Sequence, residues 1–135
     1  MTDADHALVA AFERGELDPA SFSHADHVRV AWALLGPMGR PFHEAYLAMR
    51  AGLQALVARA GRPERYNETV TLAFLALVHE ELARTVVPAP TFEAFYAGAE
   101  GRLDRGALRA LYPDGALSSE AARAGLVLPT IGRAP

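Results

Sequence analysis

His24 and His27 stand one helical turn apart in the segment Phe22-Ser23-His24-Ala25-Asp26-His27-Val28. Three residues of α-helix advance about 300°, so the two side chains diverge by only about 60° and can face one point in space. Imidazoles placed this way can share a divalent metal, relay a proton or hold a polar ligand. A helix N-terminus is partially positive, which lowers an imidazole pKa and favours the neutral, ligating form. Asp26, between them, points elsewhere and serves the dipole of the first turn. The plainer alternative is that one histidine bonds locally and the other is solvated.

A second polar group, Tyr66-Asn67-Glu68-Thr69-Val70-Thr71, opens a long apolar run. A carboxylate close to a core needs an arginine, a histidine or a metal beside it. Glu68 therefore calls for one of these three partners, with Tyr66 and Thr71 as polar neighbours. The same residues have a local reading: Asn67 is a strong N-cap type, and Glu68 in a first turn complements the helix dipole. Arg123 and Arg84 can each bind an anionic ligand or pair with a carboxylate. His79 lies on nearly the same stripe as Glu68 but roughly 16 Å further along the helix, so one metal cannot take both. His79-Glu80-Glu81 starts like a zinc-protease signature, but Ala83 stands where the closing histidine belongs. His79, His43 and His6 read as surface or structural residues.

Composition removes many chemistries. The chain has no cysteine, which excludes thiolate nucleophiles, disulfides and iron–sulfur ligation. All 13 of its basic residues are arginine. Without lysine there is no pyridoxal-phosphate attachment and no P-loop nucleotide site. No Gly-x-Ser-x-Gly elbow or dinucleotide fingerprint occurs. A net charge of −3 with no basic patch argues against nucleic acid. No apolar run approaches the ~20 residues of a membrane helix, and the acidic start Met1-Thr2-Asp3-Ala4-Asp5 is unlike a signal peptide. The expectation is a cytoplasmic protein with no membrane partner.

The elements that must position these residues read as helices separated by Gly and Pro. At 135 residues, 51% of them hydrophobic, the chain fits one domain over 1–135. Thr2 or Asp3 caps a first helix to about residue 14. Ser23 caps a second to about residue 35, with Val28, Ala31, Trp32 and Leu35 at amphipathic spacing. A third runs from Pro41 to about residue 60, and a fourth from Asn67 to about residue 86. The fourth is apolar on nearly every face between Val70 and Val78, which predicts the most buried helix. Thr91 caps a short fifth helix. Two more short helices are expected, one near residues 105–111 and one between Ser118 and Gly125. The apolar tail Leu126-Val127-Leu128-Pro129 should pack along the body. The fold class is all-α: a compact bundle of four main helices plus short C-terminal ones.

Two stretches resemble a family of short bacterial all-α proteins. One is the aromatic, His-x-x-His and Ala-Trp-x-Leu pattern from Phe22 to Leu34. The other is the Tyr-[His/Asn]-Glu-Thr-x-Thr pattern from Tyr66 to Thr71. A weaker similarity continues through Leu117-Ser118 and Ala122-Arg123 to Pro129. The resemblance carries no reaction with it. It implies a metal site of three histidines and a glutamate, in which Asn67 takes the place of the third histidine here. His24, His27 and Glu68 would still suffice for a divalent ion such as zinc, iron or manganese.

Three functions are then open. The first is a small helical enzyme or metal protein built on His24, His27 and Glu68. The second is a metal-free binder of a small polar molecule, using the same residues between the second and fourth helices. The third is a structural or homodimerising module in which the polar cluster merely joins helices.

Overall fold

The structure is a computed structural model, and it describes residues 1–129 of the chain. Four longer helices come first: α1 (Asp3–Glu13), α2 (His24–Leu35), α3 (Phe42–Arg59) and α4 (Glu68–Arg84). Two short ones follow, α5 (Phe92–Gly98) and α6 (Glu120–Ala124), and no strand occurs among the described residues. Single 3₁₀ turns at Pro19–Ser21, Pro63–Arg65 and Ala107–Ala110 shape the connections. The last of these stands where an α-helix was expected near residues 105–111. No helix among the described residues is long and apolar enough to cross a membrane.

The starts of the helices follow local chemistry. Thr2 and Ser23 each accept a hydrogen bond from a backbone N–H three residues on, and Asp5 and Asp26 reach back to the cap's own N–H. These are capping boxes that satisfy two orphan donors at each start. Asn67, Thr91 and Ser119 cap α4, α5 and α6 through their side chains. Pro41, expected inside the first turn of α3, is its N-cap. Helix α4 ends at Arg84 rather than near residue 86, and Val86 and Val87 beyond it are exposed.

The most enclosed helix is α2. Val28, Val30, Ala31, Trp32, Ala33 and Leu34 are all buried, and α2 packs against α1, α3, α4 and α5. The apolar run of α4 does not give it that place: Leu72, Ala73 and Leu77 stay partly exposed and Ala76 is exposed. Both helices carry a run of this kind, and only the packing of the others decides which is surrounded.

Arg29 interrupts the run of α2 and shows how a charge leaves so crowded a helix. Its guanidinium bonds the Asp5 carboxylate on α1, reaches Glu93 on α5 at 2.7 Å and lies 4.5 Å from the centre of the Phe92 ring. Asp5 is buried, which works against its charge. The Thr2 N–H and Arg29 prevail and hold its carboxyl below the usual range.

Helices α1 and α3 approach closely enough to require glycine. A Cβ on Gly52 would lie 2.3 Å from the Phe12 ring, which is itself stacked on Phe22. Alanine would gain about 1 kcal/mol of helix propensity, but overpacking a core costs about 1–3 kcal/mol. Because 2.3 Å is far inside contact distance, the cost should lie at the upper end, and we expect Gly52→Ala to lower stability by up to about 2 kcal/mol in urea denaturation. An unchanged or raised midpoint would show that Phe12 can move aside.

Candidate functional site

The capping box at Ser23 places His24 and His27 in the first turns of α2, facing α4. Both rings pack on Phe74, His24 edge-on with centroids 5.1 Å apart and His27 tilted at 5.6 Å. The two imidazoles are 6.2 Å apart between centroids and nearly perpendicular. The expected convergence of the pair on one side of α2 is therefore present.

Their bonding differs. His24 Nε2 lies 2.8 Å from the carbonyl oxygen of Leu103. A carbonyl only accepts, so Nε2 carries the hydrogen of this bond and Nδ1 is the nitrogen left over. His27 is partly buried and has no hydrogen-bond partner in the protein. Burial, then the neighbouring His24, pushes its pKa down to about 4. It is therefore neutral across the physiological range.

Glu68 does not join them. Its carboxylate accepts from the Tyr46 hydroxyl, from Arg50 Nε at 2.7 and 3.1 Å, and from the Tyr66 hydroxyl at 3.0 Å. Burial opposes its charge, but Tyr46, Arg50 and Tyr66 together hold its pKa below the usual range. The two phenols are pushed the other way, to about 12, by burial and by the carboxylate, with the Thr71 hydroxyl partly opposing this at Tyr66. The helix explains the separation. Phe74, which meets the histidines, lies six residues beyond Glu68, about 240° around α4 and roughly 9 Å along it. Glu68 faces α3 while Phe74 faces α2. No group of three or more His, Asp or Glu side chains able to hold a metal occurs among the described residues. The predicted ligand set is thus split between two faces of one helix.

The other residues of the Tyr66–Thr71 motif are bonded within the fold. Asn67 caps α4 through Oδ1 and donates through Nδ2 to Leu117 O at 2.6 Å. The buried Thr69 hydroxyl donates to Gly125 O at 2.6 Å and accepts from Val127 N–H at 3.0 Å. Thr71 donates to Asn67 O. Tyr112, expected to pack at a turn, also donates to Val127 O at 2.8 Å. The motif anchors the C-terminal segment, in which Val127 packs on the core while Leu126 and Leu128 are half exposed. Arg123 donates to Ser118 O and lines a surface cleft of about 360 Å³ that also includes Tyr66.

Tyr46 and Arg50 were missed as partners of Glu68. Their spacing on α3, one turn apart, was the available signal, but Tyr46 reads equally as part of an apolar stripe. His79 is exposed and meets the Phe42 ring edge-on at 5.4 Å, as a surface residue would; His43 and His6 are exposed too. Arg84 pairs with Glu80 at 3.5 Å.

Two outcomes test this geometry. Thr69→Val leaves a buried carbonyl and N–H unpaired, which costs about 1–3 kcal/mol. The loss should appear in denaturation, together with faster amide exchange at Val127. His27 sets a pH dependence. Its folded pKa of about 4 lies below the 6.5 of an unperturbed histidine, so the unfolded chain binds the extra proton. The stability it contributes is fully present above pH 6.5 and declines as pH falls from there towards 4. The ceiling is about 3 kcal/mol, less whatever solvent access to the ring removes. His27→Gln should flatten the stability profile in that window, and an unchanged profile would contradict the assignment. Comparison with protein-family models, with curated proteins and with solved structures finds no match for this chain.

Proposed function

We propose that the chain binds a small polar molecule without a metal, with His27 as its hydrogen-bonding contact at the N-terminal end of α2. One observation carries this. Among the residues singled out by the sequence, His24, Tyr66, Asn67, Glu68, Thr71 and Arg123 all have hydrogen-bond partners in the fold, and His27 has none. A neutral imidazole offers one donor and one acceptor, which suits a ligand such as an amide, an alcohol or a carboxylic acid. A pKa near 4 also makes His27 a weak base at neutral pH, which favours binding over proton transfer.

A second reading has one observation behind it. The bond from His24 Nε2–H to a backbone carbonyl is the arrangement that commonly orients a metal-bound imidazole. A divalent zinc, iron or manganese ion would then take His24 Nδ1 and one nitrogen of His27, with Glu68 outside its shell.

A thermal-shift screen of small amides, alcohols and carboxylic acids with a chelator present, and a separate titration with zinc in its absence, distinguish these. The binding reading expects a ligand that raises Tm by several degrees, an effect lost in His27→Ala and kept in Glu68→Gln. Stabilisation by zinc, lost in His27→Ala but indifferent to Glu68→Gln, would replace it with the two-histidine metal site. If zinc stabilises the protein and Glu68→Gln abolishes the effect, the original three-ligand set is right and α4 must rotate to form it. No response to either class would overturn both.

A further inference from the structure

At the other end of α2 the fold leaves a second polar group without a partner. Trp32 is only 2% exposed, yet its indole N–H makes no hydrogen bond to the protein. No fully buried side-chain nitrogen or oxygen lacks a partner among the described residues, so this N–H must keep access to open space. Trp32 lines a cleft of about 430 Å³ between the C-terminal ends of α2 and α4 and the start of α5. Pro37, Leu82, Pro88, Pro90 and Phe95 form most of its apolar wall, Met1 and Thr85 complete it, and no Asp, Glu, Arg or His side chain lines it. A volume in the range of about 300–1,000 Å³, apolar walls and a few polar groups are the features of a small-molecule site.

We propose that this cleft binds a small, uncharged, largely apolar molecule carrying one hydrogen-bond acceptor, such as an aromatic ketone, which accepts from the Trp32 indole N–H. The wall chemistry sets the class. A cationic ligand would lose its hydration with no carboxylate to replace it, and an anionic one would meet no Arg or His side chain, the Met1 α-amino group being the one formal charge on the lining residues. A pure hydrocarbon would leave the indole N–H unpaired. Flat ligands are favoured because two aromatic rings line the cleft, Trp32 and Phe95, with centroids 6.3 Å apart and planes tilted by 33°. The loop bearing Pro88 and Pro90 closes one side. Val86 and Val87, just before it, are 96% and 76% exposed and extend the apolar surface next to the wall. This inference does not rest on His27.

Trp32 is the single tryptophan of the chain, so its indole N–H gives one resolved amide-type resonance. Acetophenone is the probe, and cumene, the same shape without the oxygen, is its control. Acetophenone should move the indole proton downfield along a saturable curve. Cumene should bind roughly tenfold more weakly, the equivalent of one hydrogen bond, and without the downfield shift. Ala89 also lines the cleft, and Ala89→Leu fills it without touching Trp32's bonding. That variant should keep its fold, read from its other resonances, and lose the response. A resonance that does not move, a shift that never saturates, or an equal response in Ala89→Leu would each overturn the proposal.

Discussion

A helix surrounded on nearly all sides has few places to put a polar group, and α2 imposes that constraint on the rest of the molecule. Its middle is Val28, Val30, Ala31, Trp32, Ala33 and Leu34, all buried against α1, α3, α4 and α5. Each polar side chain on it therefore needs a specific exit. Arg29 finds Asp5 and Glu93, and in doing so ties α1 to α5. His24 finds the Leu103 carbonyl, beyond α5. These two bonds fix how the short C-terminal elements sit on the bundle. His27 and Trp32 are the polar side chains of the same helix that find no hydrogen-bond partner in the fold, and neither leaves a fully buried polar atom unpaired.

The first turn of α4 solves a related problem. Residues 99–129 contain little regular helix, so their backbone groups have few local partners. Asn67 and Thr69 supply the missing bonds to Leu117, Gly125 and Val127. A pattern that looks like a reactive cluster is largely a clasp. Side chains chosen for donors and acceptors at fixed spacing serve either purpose, and the difference lies in what they meet.

That difference marks what could be read from the chain alone. The helices were legible because capping and periodicity are local: Ser23, Asn67 and Thr91 each stop the backbone where the residue type says they should. The pairing of His24 with His27 was legible for the same reason, being set by one turn of helix. The rank of α2 over α4 in the core was not, since two apolar runs of similar length differ only in how many neighbours pack on them. The partner of Glu68 was not legible either. It depends on the rotation of α4 about its own axis, which turns Glu68 towards Tyr46 and Arg50 and Phe74 towards the histidines. Helix geometry was sufficient to exclude His79 from a site with Glu68. Applied between Glu68 and Phe74, it would have warned that no single neighbour meets both.

The rotation of α4 also bears on what chemistry the site can support. A metal centre in a bundle draws its ligands from facing helices, and each ligand must reach within about 2.0–2.2 Å of one point. For Glu68 to do so it would have to leave Tyr46, Arg50 and Tyr66, whose bonds hold it ionised. Releasing a carboxylate from a guanidinium and two phenols costs more than a single new contact returns unless the incoming charge is large. A divalent ion has that charge, but an imidazole or a small neutral ligand does not. The carboxylate therefore stays with α3 when anything short of a metal binds, and under the proposed reading the neutral His27, with Phe74 behind it, would recognise a ligand by hydrogen bonding and contact rather than by charge.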